Sequence, residues 1–261
     1  MMWRKTFLTF ISILSLSTTA ANGKYHFASS SFYTSILTNF LQSLDLTNCP
    51  LNASITLPIS SLPEPSEGLV LESITLGRGT QNYTCATNTN TSAPEAAGAT
   101  ATLFDLSCLA ALKTDADDET DDETQSPLHI LPDMLKSIPL SSVEFIASLL
   151  RVSSGQDLVI GKHYFTADGE PFFDLRGWDS DSKRSDFQAY ILAEKEDDSD
   201  APEKPGYGIT GDVAWLKLKG VEGGFSEVYR VHTAGGSPPS TCEGMPEVFT
   251  VDYTAEYWFY A

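Results

Sequence analysis

Residues 247–260 read EVFTVDYTAEYWFY, and this stretch carries the clearest structural pattern in the chain. Apolar and polar side chains alternate along it. The apolar set is Phe249, Val251, Tyr253, Ala255, Tyr257 and Phe259. The polar set is Thr250, Asp252, Thr254 and Glu256. Because successive side chains of a strand point to opposite faces, this alternation predicts an antiparallel strand with one face on the core and one in water.

Two aromatic residues at the end of this stretch, Trp258 and Tyr260, fall on the polar face. Exposed there, they would form a surface that stacks on sugars or binds a partner. The alternative is that they pack under a loop or an N-terminal helix. We favour packing, because large aromatic side chains are mostly buried in folded proteins.

The rest of the chain contains many further short β-type runs and few helical ones. A helix is predicted at 142–151, where Ser141 and Glu144 match a capping box. Many short strands separated by turns predict a mainly β protein, an antiparallel β-sandwich or barrel-like single domain with one or two short helices. The predicted strands are 69–76, 80–87, 99–108, 158–165, 171–175, 187–194, 213–219 and 226–233.

The sequence Gly77-Arg78-Gly79 resembles the start of a phosphate-binding loop. A dinucleotide fingerprint needs a third glycine three residues later and a helix after it. The third position here is Asn82, and the residues that follow favour a strand. We therefore interpret the two glycines as a hairpin turn between strands, where glycine accepts a positive φ.

The N-terminus has the features of a secretory signal. Arg4 and Lys5 precede an apolar and hydroxyl-bearing run at 7–20, and small residues follow it. We predict a signal peptide at 1–21 and a secreted, extracellular protein. An N-terminal segment with a short helix is expected at 22–48, followed by the β domain at 49–261.

Charge is concentrated in a few segments. In the run at 115–125, seven of eleven residues are Asp or Glu, which predicts a disordered loop at about 113–126. The charged, proline-bearing segment 195–206 is also predicted to be a loop. The net charge of −19 opposes binding to nucleic acid and to anionic lipid. We expect neither nucleic acid nor a membrane as a partner.

Four cysteines in a secreted chain predict two disulfides. Cys85 and Cys108 flank one loop and end neighbouring strand signals, so we pair them. Cys49 then pairs with Cys242. Asparagine glycosylation is predicted at Asn52 and Asn90, and with less support at Asn82, which begins a strand.

Sequence motifs for catalysis or cofactors are absent from the chain. The four histidines (His26, His129, His163 and His232) show no metal-ligand spacing, and there is no nucleophile elbow. A single strand histidine such as His163 or His232 is more often a surface or hydrogen-bonded residue than a ligand or base. We predict no catalytic, cofactor-binding or metal site.

A set of motifs in fixed order carries a family resemblance: GRGTQNYTCA (77–86), GATATLFDLSC (98–108), GKHYF (161–165), AWLKL (214–218), VYRVHTAGGSPPSTCEG (228–244) and YTAEYWFY (253–260). From about residue 49 to its end the chain resembles the fungal branch of the domain-of-unknown-function 3455 family. The resemblance implies no established activity. Fungal members often carry the label "malate dehydrogenase", but this sequence lacks the βαβ pattern and glycine fingerprint of a nicotinamide enzyme.

Two functional hypotheses remain from the sequence. The first is a non-catalytic extracellular or cell-surface module that binds a glycan, a wall polymer or a partner protein. The alternative is a secreted hydrolase with an unrecognised site. An aromatic platform on an open sheet face favours the first, whereas a pocket with convergent polar groups and a perturbed titratable residue favours the second.

Overall fold

In the computed structural model, the predicted strand at the end of the chain closes a barrel. Each strand pairs antiparallel with the next, and the last strand pairs with the first. The predicted mainly β fold is confirmed in its barrel form. The eight strands are β1 (Leu71–Thr84), β2 (Glu95–Asp105), β3 (Val159–Phe165), β4 (Pro171–Asp174), β5 (Tyr190–Ser199), β6 (Trp215–Gly223), β7 (Glu227–Gly235) and β8 (Val248–Tyr260).

The structure describes residues 51, 55–58, 60–111, 127–154, 157–177, 188–202 and 211–261. Within these ranges there are three helices, α1 (Ser107–Ala111), α2 (Pro127–Leu135) and α3 (Leu140–Ser154). The helix predicted at 142–151 is confirmed as part of α3, and the sequence analysis missed α1 and α2. None of these helices is long and apolar enough to cross a membrane. Other predictions lie outside the described residues: the signal peptide, the N-terminal segment, the acidic loop, Cys49 and Asn52.

The interior of the barrel is built from the apolar set of β8 and its neighbours. Tyr253, Tyr257 and Phe259 are fully buried, and the ring of Phe173 on β4 contacts those of Tyr257 and Phe259 edge to face. The hydroxyls of Tyr253 and Tyr257 lie 2.9 Å apart and share a hydrogen bond. The inward face of the predicted strand is therefore the core, as its pattern indicated.

The outer face of β8 meets water at Thr250 and Asp252, as predicted, but it is buried from Thr254 onward, which corrects the prediction for that part. Thr254 and Glu256 have no exposed surface, and Trp258 is 1 % exposed. Helix α2 lies over this face, where the Thr254 hydroxyl donates to the Pro132 carbonyl. The packing interpretation of Trp258 and Tyr260 is confirmed, since both are buried.

Residues 60–68, here called the strap, cover the neighbouring part of the wall. The Tyr229 hydroxyl donates to the Pro63 carbonyl (2.9 Å), and the Ser66 hydroxyl donates to a carboxylate oxygen of Glu227. Lys217 lies 3.3 Å from the Glu227 carboxylate and also donates to the Glu64 carbonyl. Paired with its carboxylate, this lysine is stable beneath the strap at 3 % exposure.

The predicted turn at Gly77-Arg78-Gly79 is wrong, because β1 runs through these residues without a break. Both glycines are needed for close approach. A Cβ on Gly77 would lie 2.5 Å from the Tyr257 ring, and one on Gly79 would lie 1.8 Å from the Thr100 carbonyl oxygen. A strand, rather than the helix that a dinucleotide fingerprint requires, continues after the glycines.

The predicted pairings of Cys85 with Cys108 and of Cys49 with Cys242 are both wrong, because Cys85 is bonded to Cys242. Cys85 follows β1 and Cys108 follows β2, so the antiparallel hairpin puts them at opposite ends of the barrel. The β1–β8 pairing instead brings Cys85 beside the segment before β8, where its N–H donates to the Glu247 carbonyl (2.8 Å). Cys108 is also disulfide-bonded. Its partner is neither Cys85 nor Cys242, because those two are bonded to each other.

The charged segment predicted as a loop from 195 begins as a strand. Residues 195–199 continue β5, paired with β6. Lys195 bonds Asp198 at 2.6 Å, and both side chains are exposed. Charged residues are compatible with this strand because its end is open to solvent. Residues 203–206 of the predicted loop lie outside the described ranges.

Candidate functional site

Three aromatic side chains form a contiguous row on the outside of β3, β4 and β5, here called the aromatic row. The rings of Tyr164 and Phe172 are 5.2 Å apart between centroids, and those of Phe172 and Tyr190 are 5.5 Å apart. Tyr164 is 38 % exposed, and the other two are half-buried. The row is an exposed aromatic platform on an outer sheet face.

The sequence places these rings outside by alternation around two inward residues. His163 and Phe173 pair across β3 and β4, and their rings stack inside the barrel at 4.1 Å. Because successive side chains of a strand point to opposite faces, the adjacent Tyr164 and Phe172 must face outward. The sequence therefore contains a sign of the outward rings, in HYF (163–165) and PFF (171–173). From the sequence alone, these runs predict only that strands form there.

Polar side chains border the aromatic row. The Tyr190 hydroxyl donates to a Glu222 carboxylate oxygen at 2.8 Å, and this bond raises the pKa of Tyr190. Arg176 donates to Asp174 (Nε to Oδ1, 2.8 Å), and this contact lowers the pKa of that carboxyl. The apolar ring faces thus lie beside fixed hydrogen-bonding groups of both signs.

A groove of about 580 Å³ adjoins the aromatic row and shares Tyr164 with it. Its polar lining includes two threonines, Thr80 and Thr100, whose hydroxyls lie 3.4 Å apart. Lys162 also lines it, and Pro139, between α2 and α3, forms the far wall. The row and the groove together form one extended, partly aromatic and partly hydroxyl-rich face.

Arg78, between the two glycines of β1, lies at the bottom of this groove. It is 2 % exposed and donates from Nε to the Leu135 and Ile138 carbonyls (3.2 Å each). It also pairs with Asp252 at 3.2 Å. These bonds tie the α2–α3 connection to the wall, so Arg78 has a structural role rather than the phosphate-binding one that the motif first suggested.

A second cavity, of about 350 Å³, lies inside the barrel at one end and is here called the cup. His163, Phe173 and Tyr257 line its inner part, and Phe165 lines its rim. The His163 Nδ1 bonds the Phe172 carbonyl at 3.0 Å, and since a carbonyl only accepts, Nδ1 carries the proton. Burial lowers the pKa of His163 to about 4, so the ring is neutral at physiological pH. His163 is thus hydrogen-bonded, as predicted for a strand histidine, but inside the barrel.

The cup meets one criterion for a hydrolase, since a perturbed titratable residue lies in a pocket. The directions of the shifts argue against catalysis. A general base works best with a pKa near the operating pH, and that of His163 is far lower. Burial raises the pKa of Tyr257, which keeps its hydroxyl protonated. Neither shift therefore activates His163 as a base or Tyr257 as a nucleophile.

A third feature joins α2 to the barrel wall. One ligand atom from each of His129, His232 and Glu256 lies within 4.8 Å of the others, although their sequence spacing gave no indication of it. The two imidazoles stack at 3.9 Å with 17° between their planes. A metal ion must lie close to the plane of each imidazole that binds it, and these nearly parallel planes exclude that for both rings in this arrangement. Within the cluster, His129 Nδ1 instead shares a hydrogen bond with the Glu256 carboxylate at 2.9 Å.

The predicted glycosylation sites fall in different settings. Asn90 is exposed in the β1–β2 loop. Asn82 lies within β1, half-buried, and its Oδ1 accepts a hydrogen bond from the Thr80 hydroxyl. Asn90 is therefore the more accessible of the two.

Comparison with known proteins gives a family but no function. No curated protein and no solved structure was found to match this chain. The resemblance noted in the sequence is supported by a family model that covers β1 to β8 and all three helices. That model, described as "Protein of unknown function (DUF3455)", matches residues 65–261, and this chain belongs to that family.

Proposed function

We propose that this protein is a secreted, non-catalytic module that binds a neutral glycan of the extracellular matrix or wall. The aromatic row of Tyr164, Phe172 and Tyr190 is the observation that carries this proposal. The signal-like N-terminus, the sequons and the disulfide support an extracellular location.

The chemistry of the row suits a sugar. A pyranose ring has an apolar face of C–H groups and an equator of hydroxyls. Aromatic rings offer broad, rigid apolar area with a polar edge. Here the rings supply that area, while Glu222 and the Asp174–Arg176 pair lie where the sugar hydroxyls would be. Contiguous exposed apolar surface with a polar border is typical of a binding site.

The groove extends the same surface and favours a chain over a single sugar. Tyr164 lines both, so a glycan stacked on the row would continue past Lys162 towards the threonine hydroxyls. The net charge of −19 repels polyanionic polysaccharides. A neutral polysaccharide is therefore the occupant to which this face is best matched.

The test is an array of neutral and acidic polysaccharides probed with the secreted protein and with Phe172→Thr and Tyr164→Thr variants. Threonine keeps the β preference of each strand position. Removing a central aromatic contact from an interface costs about 2 kcal/mol or more, which is tenfold or more in affinity. The control is Phe145→Ala, since Phe145 on α3 is 62 % exposed and lies outside the row and groove.

Other outcomes of this test would favour a different binding site or a different function. Undiminished binding by the Phe172→Thr variant would show that the aromatic row is not the glycan-binding site. Binding to no polysaccharide, with capture of an extracellular protein, would favour the partner-protein interpretation. Cleavage of any array member by the wild-type protein would favour the hydrolase. Oxidised nicotinamide dinucleotide with malate belongs in the same panel, and we expect neither binding nor turnover.

A further inference from the structure

The cup is separate from the aromatic row and has its own chemistry. Its walls are largely apolar, formed by Phe165, Phe173, Leu216 and Leu218 around Tyr257. Its volume of about 350 Å³ lies at the small end of the range for small-molecule sites. An eight-stranded barrel has an interior that either fills with side chains or holds one small ligand.

Arg230 introduces a charge into this apolar space. It pairs in register with Leu216 on β6 and Tyr257 on β8, so its side chain enters the barrel with theirs. Its Nε and Nη2 both donate to the Ala214 carbonyl, at 3.1 and 2.8 Å. It lies near enough to the Tyr257 hydroxyl for its positive charge to oppose the effect of burial, which raises the pKa of that hydroxyl. Arginine has five N–H donors, so these contacts leave some of them available.

No carboxylate of the described residues forms an ion pair with Arg230. The groups that hold it are neutral. The buried tyrosines beside it stay protonated and His163 stays uncharged, since burial moves their pKa values in those directions. Charged groups inside proteins are normally paired. Among the described residues, the half-buried guanidinium therefore has no paired counter-charge, although its position calls for one.

The remaining charges of the cup lie at its rim. Glu194 and Lys195 are exposed there, and Glu170 is half-buried in the β3–β4 turn. Two carboxylates at the entrance disfavour a ligand with a second negative charge at its outer end. An apolar molecule with one anionic group directed inward meets all of these conditions.

We infer that the cup binds a small apolar monocarboxylate, with Arg230 as the partner of the carboxylate and the phenylalanine and leucine walls around the apolar body. Guanidinium and carboxylate form charge-assisted, often bidentate hydrogen bonds, which a neutral amide of the same shape cannot match. The site is independent of the glycan proposal and stands or falls on its own.

The experiment measures binding of hexanoate, octanoate, decanoate and 3-phenylpropanoate by calorimetry, each beside its amide. At least one acid should bind the wild-type protein, and its amide tenfold or more weakly. Arg230→Gln should abolish the preference for the acid. Leu218→Trp, which fills the cup, should abolish binding of both. Phe172→Thr, outside the barrel, should leave acid binding unchanged.

The following results would contradict the inference or decide between its parts. If no acid binds, or if acid and amide bind equally, the inference is wrong. A preference for the acid that persists in Arg230→Gln would exclude Arg230 as the partner. If Arg230→Gln does not fold, as judged by circular dichroism, the acid–amide comparison on the wild type and on Leu218→Trp decides. Loss of acid binding in Phe172→Thr would place the ligand outside the cup.

Discussion

Gly77 and Tyr257 meet inside the barrel, where β1 and β8 pair. The absence of a side chain on Gly77 lets the Tyr257 ring lie close against β1, because a Cβ there would come within 2.5 Å of the ring. The hydroxyl of the same ring shares a hydrogen bond with that of Tyr253 at 2.9 Å. A single glycine thus sets the position of a ring that lines the cup.

Gly77→Ala should therefore destabilise the barrel. Overpacking a well-filled interior costs about 1–3 kcal/mol, and urea unfolding measures the difference. The matched control is Gly211→Ala, whose Cβ would lie 3.3 Å from the Ser237 hydroxyl, a small side chain able to turn away. That variant should stay within about 0.5 kcal/mol of wild type. Equal stability of both variants would mean that the Tyr257 ring is free to move.

Glu256 is a buried carboxylate held by groups from two elements. It has no exposed surface and accepts hydrogen bonds from His129 on α2 and from Trp258 Nε1 at 3.0 Å. Burial is the largest influence and alone would raise the pKa of Glu256. The hydrogen bonds and the nearby His129 and His232 outweigh it, so the pKa lies below its ordinary value. The ionised form is therefore favoured more in the folded than in the unfolded chain.

This direction predicts how stability depends on pH. A depressed carboxyl pKa stabilises the fold above the unfolded pKa of about 4.3, and the contribution is lost as pH falls through the folded value. Glu256→Gln should be less stable than wild type at pH 7. Its deficit should shrink below about pH 4. The urea midpoints of both proteins, measured from pH 7 to pH 3, give this difference in stability at each pH. A difference that stays constant would show that Glu256 does not titrate in this way.

Among the elements, β1 and β8 do most to organise the molecule. Each is longer than any other described strand, and they pair along nearly their whole length. Cys85 leaves one and Cys242 precedes the other, so their disulfide joins the β1–β2 loop to the β7–β8 loop. The Cys242 N–H also donates to the Ser92 carbonyl at 2.8 Å. The bond fixes two connections at the same end of the barrel.

Peptide mapping without reduction should recover Cys85 linked to Cys242. The two are 157 residues apart, and chain-entropy estimates for a closed loop of that size reach roughly 5 kcal/mol as an upper bound. The Cys85→Ala/Cys242→Ala double variant should unfold at correspondingly lower urea concentration. A Cys85–Cys108 peptide would contradict the pairing, and a reduced sample run in parallel shows which peptides the bond joins.

At this scale, a property can be predicted from the sequence when it depends only on neighbouring residues. The alternation of β8 is local, so the strand and its core face were predictable. Burial of Thr254, Glu256 and Trp258 depends on α2, which no pattern in β8 reports. The turn predicted at Gly77 is wrong because glycine is needed not only for a positive φ but also where a neighbouring group comes very close to the backbone. Convergence of His129 and His232 on Glu256 is purely tertiary.

At the scale of the whole molecule, the barrel wall is asymmetric. Helix α2 and the strap bury the outer side of β7 and of β8 from Thr254 onward, whereas the aromatic row leaves Tyr164 exposed on β3 and Phe172 half-buried on β4. The cup then opens into the interior between these sides. One closed sheet thus has a covered wall, which stabilises the fold, and a partly exposed wall that carries the aromatic row. Our two proposals assign a polymer to the partly exposed wall and a small ligand to the cup.

Together with the proposed secretion, this arrangement predicts where the protein carries glycan of its own. The mature chain should begin near Asn22, after removal of the signal peptide. Asn90 should be modified because it lies exposed in a loop, whereas Asn82 should not, because its amide is half-buried in β1 and bonded to Thr80. Intact mass before and after glycosidase treatment measures both events. Asn90→Gln should lower the secreted mass by one glycan, and Asn82→Gln, its matched control, should not. A chain retained in the cell with its first residues intact, or an Asn90→Gln variant of unchanged glycan mass, would contradict the extracellular assignment on which the glycan proposal rests.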